Sequence, residues 1–176
     1  MQSWMGNVIG AAIGLIAILI GALWNAHLTR KRDTHLREQE ARSISSALAA
    51  ELRTTLDMTA SRFMQAALDR GGMSKEVLLA LRPPALVVWP KLADKLGLLE
   101  PRVAVTAIQA FSLLDWHMAM TGVTIDEAIN GSLKKEAAML RAQAFANDWH
   151  RLNAAIEMLG GEPVKGLPFV EFGIGL

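Results

Sequence analysis

Residues 4 to 24, WMGNVIGAAIGLIAILIGALW, form an uncharged apolar run bounded by Trp4 and Trp24. A hydrocarbon core about 30 Å thick takes roughly 20 apolar residues at about 1.5 Å rise each, so the run is long enough to cross it as one helix. Indole rings prefer the headgroup level, and the two tryptophans mark the edges of the span as well as its length. The chain is therefore expected in a lipid bilayer.

A cleaved secretory signal would need a basic leading region, a shorter apolar core and a small-residue cleavage site. The first 26 residues contain no Lys or Arg, the run is too long, and the basic cluster Arg30, Lys31, Arg32 stands on its far side. A retained helix fits better. Because Lys and Arg beside a span are held on the cytoplasmic side, the expected topology is N-terminus out across the cell inner (plasma) membrane, with everything after residue 24 cytoplasmic. The chain has no Cys, which excludes a disulfide scaffold and a thiolate metal site.

The remaining residues, about 150, are enough for one domain with a core of its own. All 18 basic and 17 acidic residues lie there, so this part is close to neutral and a broad nucleic-acid surface is not expected. The basic cluster reads as a topology signal, with anionic lipid headgroups as its other use.

From residue 22 to residue 70 there is neither Gly nor Pro, so a helix can leave the membrane and continue. The segment from Thr29 to Arg42 is polar on every side. Asp33 with Arg37 and Glu38 with Arg42 stand i, i+4 with the acid first, the order that supports an exposed helical stalk. Apolar positions return at Ile44, Leu48, Leu52, Leu56 and Phe63 as one narrow stripe. Thr55 and Thr59 interrupt it as a coiled-coil seam, so packing within a domain is expected instead.

Gly71-Gly72 ends this helix, and Ser74 opens a short one that Pro83-Pro84 terminates. Pro90 suits the first turn of a helix stopping at Gly97, and Pro101 the first turn of the next. Residues 103–114 are uncharged, yet twelve residues reach only about 18 Å, so they predict a buried core helix and not a second span. Gly122 is expected to end it, with Thr124-Ile125-Asp126-Glu127 as the capping box of a new helix that Asn130-Gly131-Ser132 interrupts. Ala138, Phe145, Trp149, Leu152, Ile156 and Leu159 then mark an amphipathic core helix ended by Gly160-Gly161. The tail, EPVKGLPFVEFGIGL, has too much Gly and Pro for a helix, and its apolar residues are expected to dock on the domain or on a partner. The fold class is all-α: a transmembrane anchor (1–26), a helical stalk (27–42), a small helical-bundle domain (43–161) and an extended apolar tail (162–176).

Two segments echo each other: Gln109-Ala110-Phe111 before Asp115-Trp116-His117, and Gln143-Ala144-Phe145 before Asp148-Trp149-His150. The spacing from Phe to Trp is five in the first and four in the second, which rotates one group by about 100° relative to the other. An antiparallel pairing could bring His117 and His150, with Asp115 or Asp148, to one metal or acid/base site. Against this, Asp and His at i, i+2 point to different faces, and the Glu-x-x-His spacing of bundle metal sites is absent. His150 shares its side with Asn147, Asn153 and Glu157, a solvated face, while His117 reads as a buried, hydrogen-bonded core residue. No metal or other cofactor is expected. There is no phosphate-cradling Gly loop, nucleophile elbow or metalloprotease helix. His27 and His35 read as interfacial polar residues.

Within the span, Gly6, Gly10 and Gly14 recur every four residues, with Ala17 and Gly21 extending the small-residue surface. That spacing lets two backbones approach closely in lipid and gives a candidate helix-packing face, although Gly is common in spanning helices generally. Asn7, near one end, does not mark an ion path.

The layout of apolar span, charged stalk and compact domain containing LADKLGLLEPRVAVTAIQAF resembles the uncharacterised single-span membrane proteins of bacteria. That resemblance implies a membrane-anchored helical protein and carries no catalytic residue across. The expected function is binding: a non-enzymatic scaffold or subunit of a membrane complex, with the lipid bilayer and a protein partner or a second copy as its contacts. A small pore-forming or lysis protein is the alternative, disfavoured because a uniformly apolar helix lines water poorly. A site at His117 and His150 is the second alternative.

Overall fold

The computed structural model describes residues 3–69 and 72–166, with the side chains of residues 3–8, 11 and 12 left out of that description. Among the described residues there is no strand. The elements are α1 (Ser3–Leu68), α2 (Lys75–Ala80), α3 (Trp89–Leu92), a 3-10 helix (Ala93–Leu98), α4 (Pro101–Ile129) and α5 (Lys135–Met158). The chain divides into two compact units, Met1–Ala41 and Arg42–Leu176.

In the first unit the described residues are helical throughout, and the described side chains from Ile9 to Glu40 are all exposed. The absence of Gly and Pro after Gly21 lets the i to i−4 ladder run unbroken. Thr29 and Thr34 turn their hydroxyls inward to donate to the carbonyls of Asn25 and Arg30, each at 2.9 Å.

The second unit is built on the apolar stripe of α1. Ile44, Leu48, Leu52, Leu56 and Phe63 are all buried, as the spacing predicts. Thr55 and Thr59 are buried on the same helix and belong to the core of this unit. The Thr59 hydroxyl has no hydrogen-bond partner among the described residues, which costs about 1–3 kcal/mol for a buried polar group. α4 and α5 form an antiparallel pair. Phe111 and Leu114 of α4 and Phe145, Trp149 and Leu152 of α5 are buried, and Phe145 meets Phe63 of α1 edge-on at 6.4 Å.

Both long helices of the pair end in the same way. Gly131 at φ 65° and Gly160 at φ 81° adopt the left-handed conformation that L side chains rarely take. After α4, Gly131 N–H donates to Ala128 and Ser132 N–H to Glu127; after α5, Gly160 N–H donates to Glu157 and Gly161 N–H to Ile156. These are paired Schellman bonds, which satisfy carbonyls the helix leaves open. Ser45 of α1 donates its hydroxyl to the Leu159 carbonyl at 2.8 Å, and a Cβ on Gly161 would stand 2.9 Å from Cβ of Ala49. The end of α5 thus sits against α1 at a distance only glycine permits.

Four expectations change. Gly122 does not end a helix, and Thr124 to Glu127 is no capping box: α4 runs on to Ile129. The Thr124 hydroxyl donates to the Met120 carbonyl at 2.9 Å, while Ile125 is fully buried against Ala66 and Leu78. Glycine in a helix costs only about 1 kcal/mol, less than this packing returns. The Asn130-Gly131-Ser132 break is the true end. Of the apolar stretch 103–114, Ala107, Ala110, Phe111 and Leu114 are buried but Val105 and Ile108 are half-exposed. Because α4 continues past Gly122, it is long and apolar enough by composition to cross a membrane, as is the N-terminal part of α1. Finally, the segment expected as one helix to Gly97 changes pitch at Ala93, from α3 to the 3-10 helix. The docking expected of tail residues 167–176 lies outside the described residues. Just before them, Val164 N–H donates to Asn153 Oδ1 at 2.7 Å.

Two substitutions in this core are expected to act in opposite directions. Gly161→Ala forces its new methyl against Ala49 and Ile156 and should destabilise the unit by about 1–3 kcal/mol. Thr59→Val removes the unpaired hydroxyl at nearly constant size and should stabilise it by up to about 3 kcal/mol. Denaturant titration of the full chain in mild detergent, followed by circular dichroism, reads both.

Candidate functional site

Two places concentrate residues with possible roles, one in each unit. In the first, α1 presents eight described Leu and Ile side chains between Ile9 and Leu23, all at least half-exposed. In lipid each contributes about −0.3 to −0.6 kcal/mol at a helix centre, while a single Lys, Arg or Asp there would cost about 2.5–3.5 kcal/mol. No charged residue lies in this stretch, and the helix is long and apolar enough by composition to cross a membrane. The helix meets the other requirement of lipid as well, since its backbone groups bond to one another.

Trp24 is 67% exposed at the end of the apolar stretch. Arg30, Lys31 and Arg32 are exposed on the next two turns. Gly10 and Gly14 stand open, with nothing within 4 Å of an added Cβ, and Gly21 likewise. Gly6 and Trp4 are helical positions of α1 whose side chains lie outside the described residues. His27 and His35 are exposed, and His35 Nε2 stands 3.1 Å from Gln39 Nε2.

In the second unit, His117 of α4 is 2% exposed and meets Asp148 of α5, Nε2 to Oδ2, at 3.3 Å. Its ring stacks on Phe145 at 4.1 Å between centroids, nearly parallel, and Trp116 closes over it edge-on at 4.7 Å. The other oxygen of Asp148 accepts from Arg151 Nη1 at 3.4 Å. Burial pushes the pKa of His117 below the usual 6.5, and the hydrogen bond and charge of Asp148 oppose this.

His150 does not join this pair. It is exposed and lines a separate hollow with Asn153, Glu157 and Val164. Asp115 lines a third with Trp89, Pro90 and Phe111. Two residues of helix turn the chain by about 200°, so Asp148 facing α4 directs His150 away from it. The echoed segments therefore have exchanged roles: Trp116 is half-exposed beside a buried His117, whereas Trp149 is buried beside an exposed His150. Among the described residues no group of three His, Cys, Asp or Glu could hold a metal ion. With its ring enclosed, His117 acts as a fastening between α4 and α5.

Two further polar clusters carry little signal in the sequence. Arg141 of α5 grips Glu127 of α4 through both terminal guanidinium nitrogens, at 2.7 and 2.9 Å, and also donates to the Thr124 hydroxyl at 3.0 Å. Arg141 holds the Glu127 carboxyl below the ordinary carboxylate range. Glu51 of α1 accepts from three successive amides, those of Val87, Val88 and Trp89, at 2.5 to 2.6 Å. The i, i+3 spacing of Thr124 and Glu127 marks a shared face that sequence could have revealed; backbone partners 36 to 38 residues away leave no trace of that kind.

The folded ring of His117 binds a proton less readily than the unfolded one, so its contribution is complete above pH 6.5 and is lost as pH falls through and below that value. Stability of the second unit should decline between about pH 7.5 and 5.5, and His117→Phe, which keeps a stacked ring, should flatten that dependence. Denaturation midpoints of the full chain at the two pH values test this; an unchanged slope in the variant would overturn it. Comparison with protein-family models, curated proteins and solved structures finds no match.

Proposed function

We propose that this chain is a single-pass, membrane-anchored helical scaffold: a non-enzymatic binding subunit whose apolar N-terminal helix sits in the cell inner membrane. In this reading the N-terminus lies outside, Arg42–Leu176 lies in the cytoplasm, and the contacts are the bilayer together with a protein partner or a second copy. One observation carries the reading. Between Ile9 and Trp24 every described side chain of α1 is exposed, around the whole circumference of the helix, and the stretch holds no charge. Apolar surface of that extent is rare on a protein that rests in water. Support for the orientation comes from Arg30, Lys31 and Arg32, which follow the apolar stretch.

The Gly6, Gly10 and Gly14 face is the proposed contact within lipid, where small residues allow backbones to pack closely. Open space around Gly10 and Gly14 makes the test clean, because leucine there displaces nothing in the single chain.

In carbonate-washed membranes the protein should stay in the pellet, and release into the supernatant would remove the anchor. After mild-detergent extraction, mass spectrometry should find a companion or a second copy, and replacing the three glycines with leucine should weaken that association at least tenfold while leaving the anchor. A clean monomer in the unaltered chain would remove the scaffold role.

A further inference from the structure

Beyond the apolar stretch, His27, Arg30, Lys31, Thr34, His35 and Glu38 line one shallow hollow along α1. Their spacings, i, i+3, i+4, i+7, i+8 and i+11, are those of a single helix face. At about 100° per residue, Arg30 and Lys31 flank His27 within an arc of about 100°, whereas Arg32 lies about 140° around the axis from His27. The three consecutive cations are thus unequal: two share a face with a histidine and the third points elsewhere. Resting on the membrane-anchor reading, we infer that His27, Arg30 and Lys31 form a one-sided docking face for the phosphodiester headgroups of anionic glycerophospholipids.

Three features support this occupant. Charge is complementary, and a guanidinium offers a phosphate two parallel hydrogen bonds. Height is right as well. His27 stands about 4.5 Å past Trp24 along the axis and Lys31 about 10 Å, while the headgroup layer is about 5–8 Å deep and long basic side chains reach back toward it. Lastly, Thr34 has its hydroxyl turned to the Arg30 carbonyl and His35 has its Nε2 against the Gln39 amide, which leaves the two cations with His27 as the polar ends nearest the apolar stretch, and Glu38, on the same face about 16 Å beyond His27, sets its outer limit.

The face would make lipid selectivity depend on which basic residue is lost, which a general rule of positive charge does not. The full chain is reconstituted in phosphatidylcholine bilayers containing spin-labelled phosphatidylglycerol or spin-labelled phosphatidylcholine, and electron spin resonance measures the lipid held against the protein. Phosphatidylglycerol should be preferred. Lys31→Gln and Arg30→Gln should each reduce that preference by about fivefold, the equivalent of about 1 kcal/mol per basic residue at an anionic surface. Arg32→Gln should change it by less than about twofold. Equal losses from Lys31→Gln and Arg32→Gln, or no preference in the unaltered chain, would overturn the one-sided face while leaving the anchor in place. If neither lipid is restrained by the protein, the anchor reading itself fails, and the docking face with it.

Discussion

Apolar surface left exposed along α1 among the described residues is the constraint on which the first unit depends. The described side chains from Ile9 to Leu28, apolar but for Asn25 and His27 among the larger ones, surround α1, and no described residue of the same unit covers them. Further along the same helix the pattern narrows to the stripe from Ile44 to Phe63, every member of which is buried. One unbroken backbone thus carries two solvent requirements. All-round hydrophobicity suits lipid, whereas a single stripe suits a protein core. The polar residues between them, exposed on every side, suit water.

The second unit is held by side chains that join helices more than by the helices' own tendencies. Phe145 lies between Phe63 of α1 and the His117 ring of α4, so one ring touches two other elements. Toward the loop end of the α4–α5 pair, the Arg141 grip on Glu127 replaces aromatic packing with a two-pronged ion pair. At the far end, glycine lets α5 close on α1 where Ser45 caps its last carbonyl. Helix α5 is therefore tied along its length by three unlike interactions, two of them to α4 and the last to α1.

Periodicity made much of this legible. The α1 stripe, the core face of α5, the start of α4 at Pro101 and the cap at Ser74 all follow from spacing and local chemistry. Gly122 misled because a lone glycine is a weak stop, and a helix continues through it when residues beyond, here Ile125 and Ala128, have a core to join. For the histidines, the shift of one residue between the echoed segments did foretell different environments. Asp115 and Asp148 both stood as candidates beside His117, and the choice of Asp148 was not legible, since the register between α4 and α5 is set by a turn whose geometry emerges only in three dimensions. Glu51 lay beyond reach for a different reason: backbone amides look alike in every sequence.

The bond set of Glu51 has a consequence for how the second unit comes apart. The connector from Leu81 to Val88 contains Pro83 and Pro84, which have no amide hydrogen to offer, and so little of its backbone can be fastened by its own bonds. One carboxylate gathers the amides at its end, and the adjacent Trp89 stacks on Phe111 at 4.4 Å. Both fastenings sit within three residues, like a clasp at the end of a strap. Opening the clasp would release residues 83–88, while Arg82, bonded through its side chain to Asp126 and through its carbonyl to Arg62, and the α4–α5 pair keep their own contacts, as expected of a segment that opens locally.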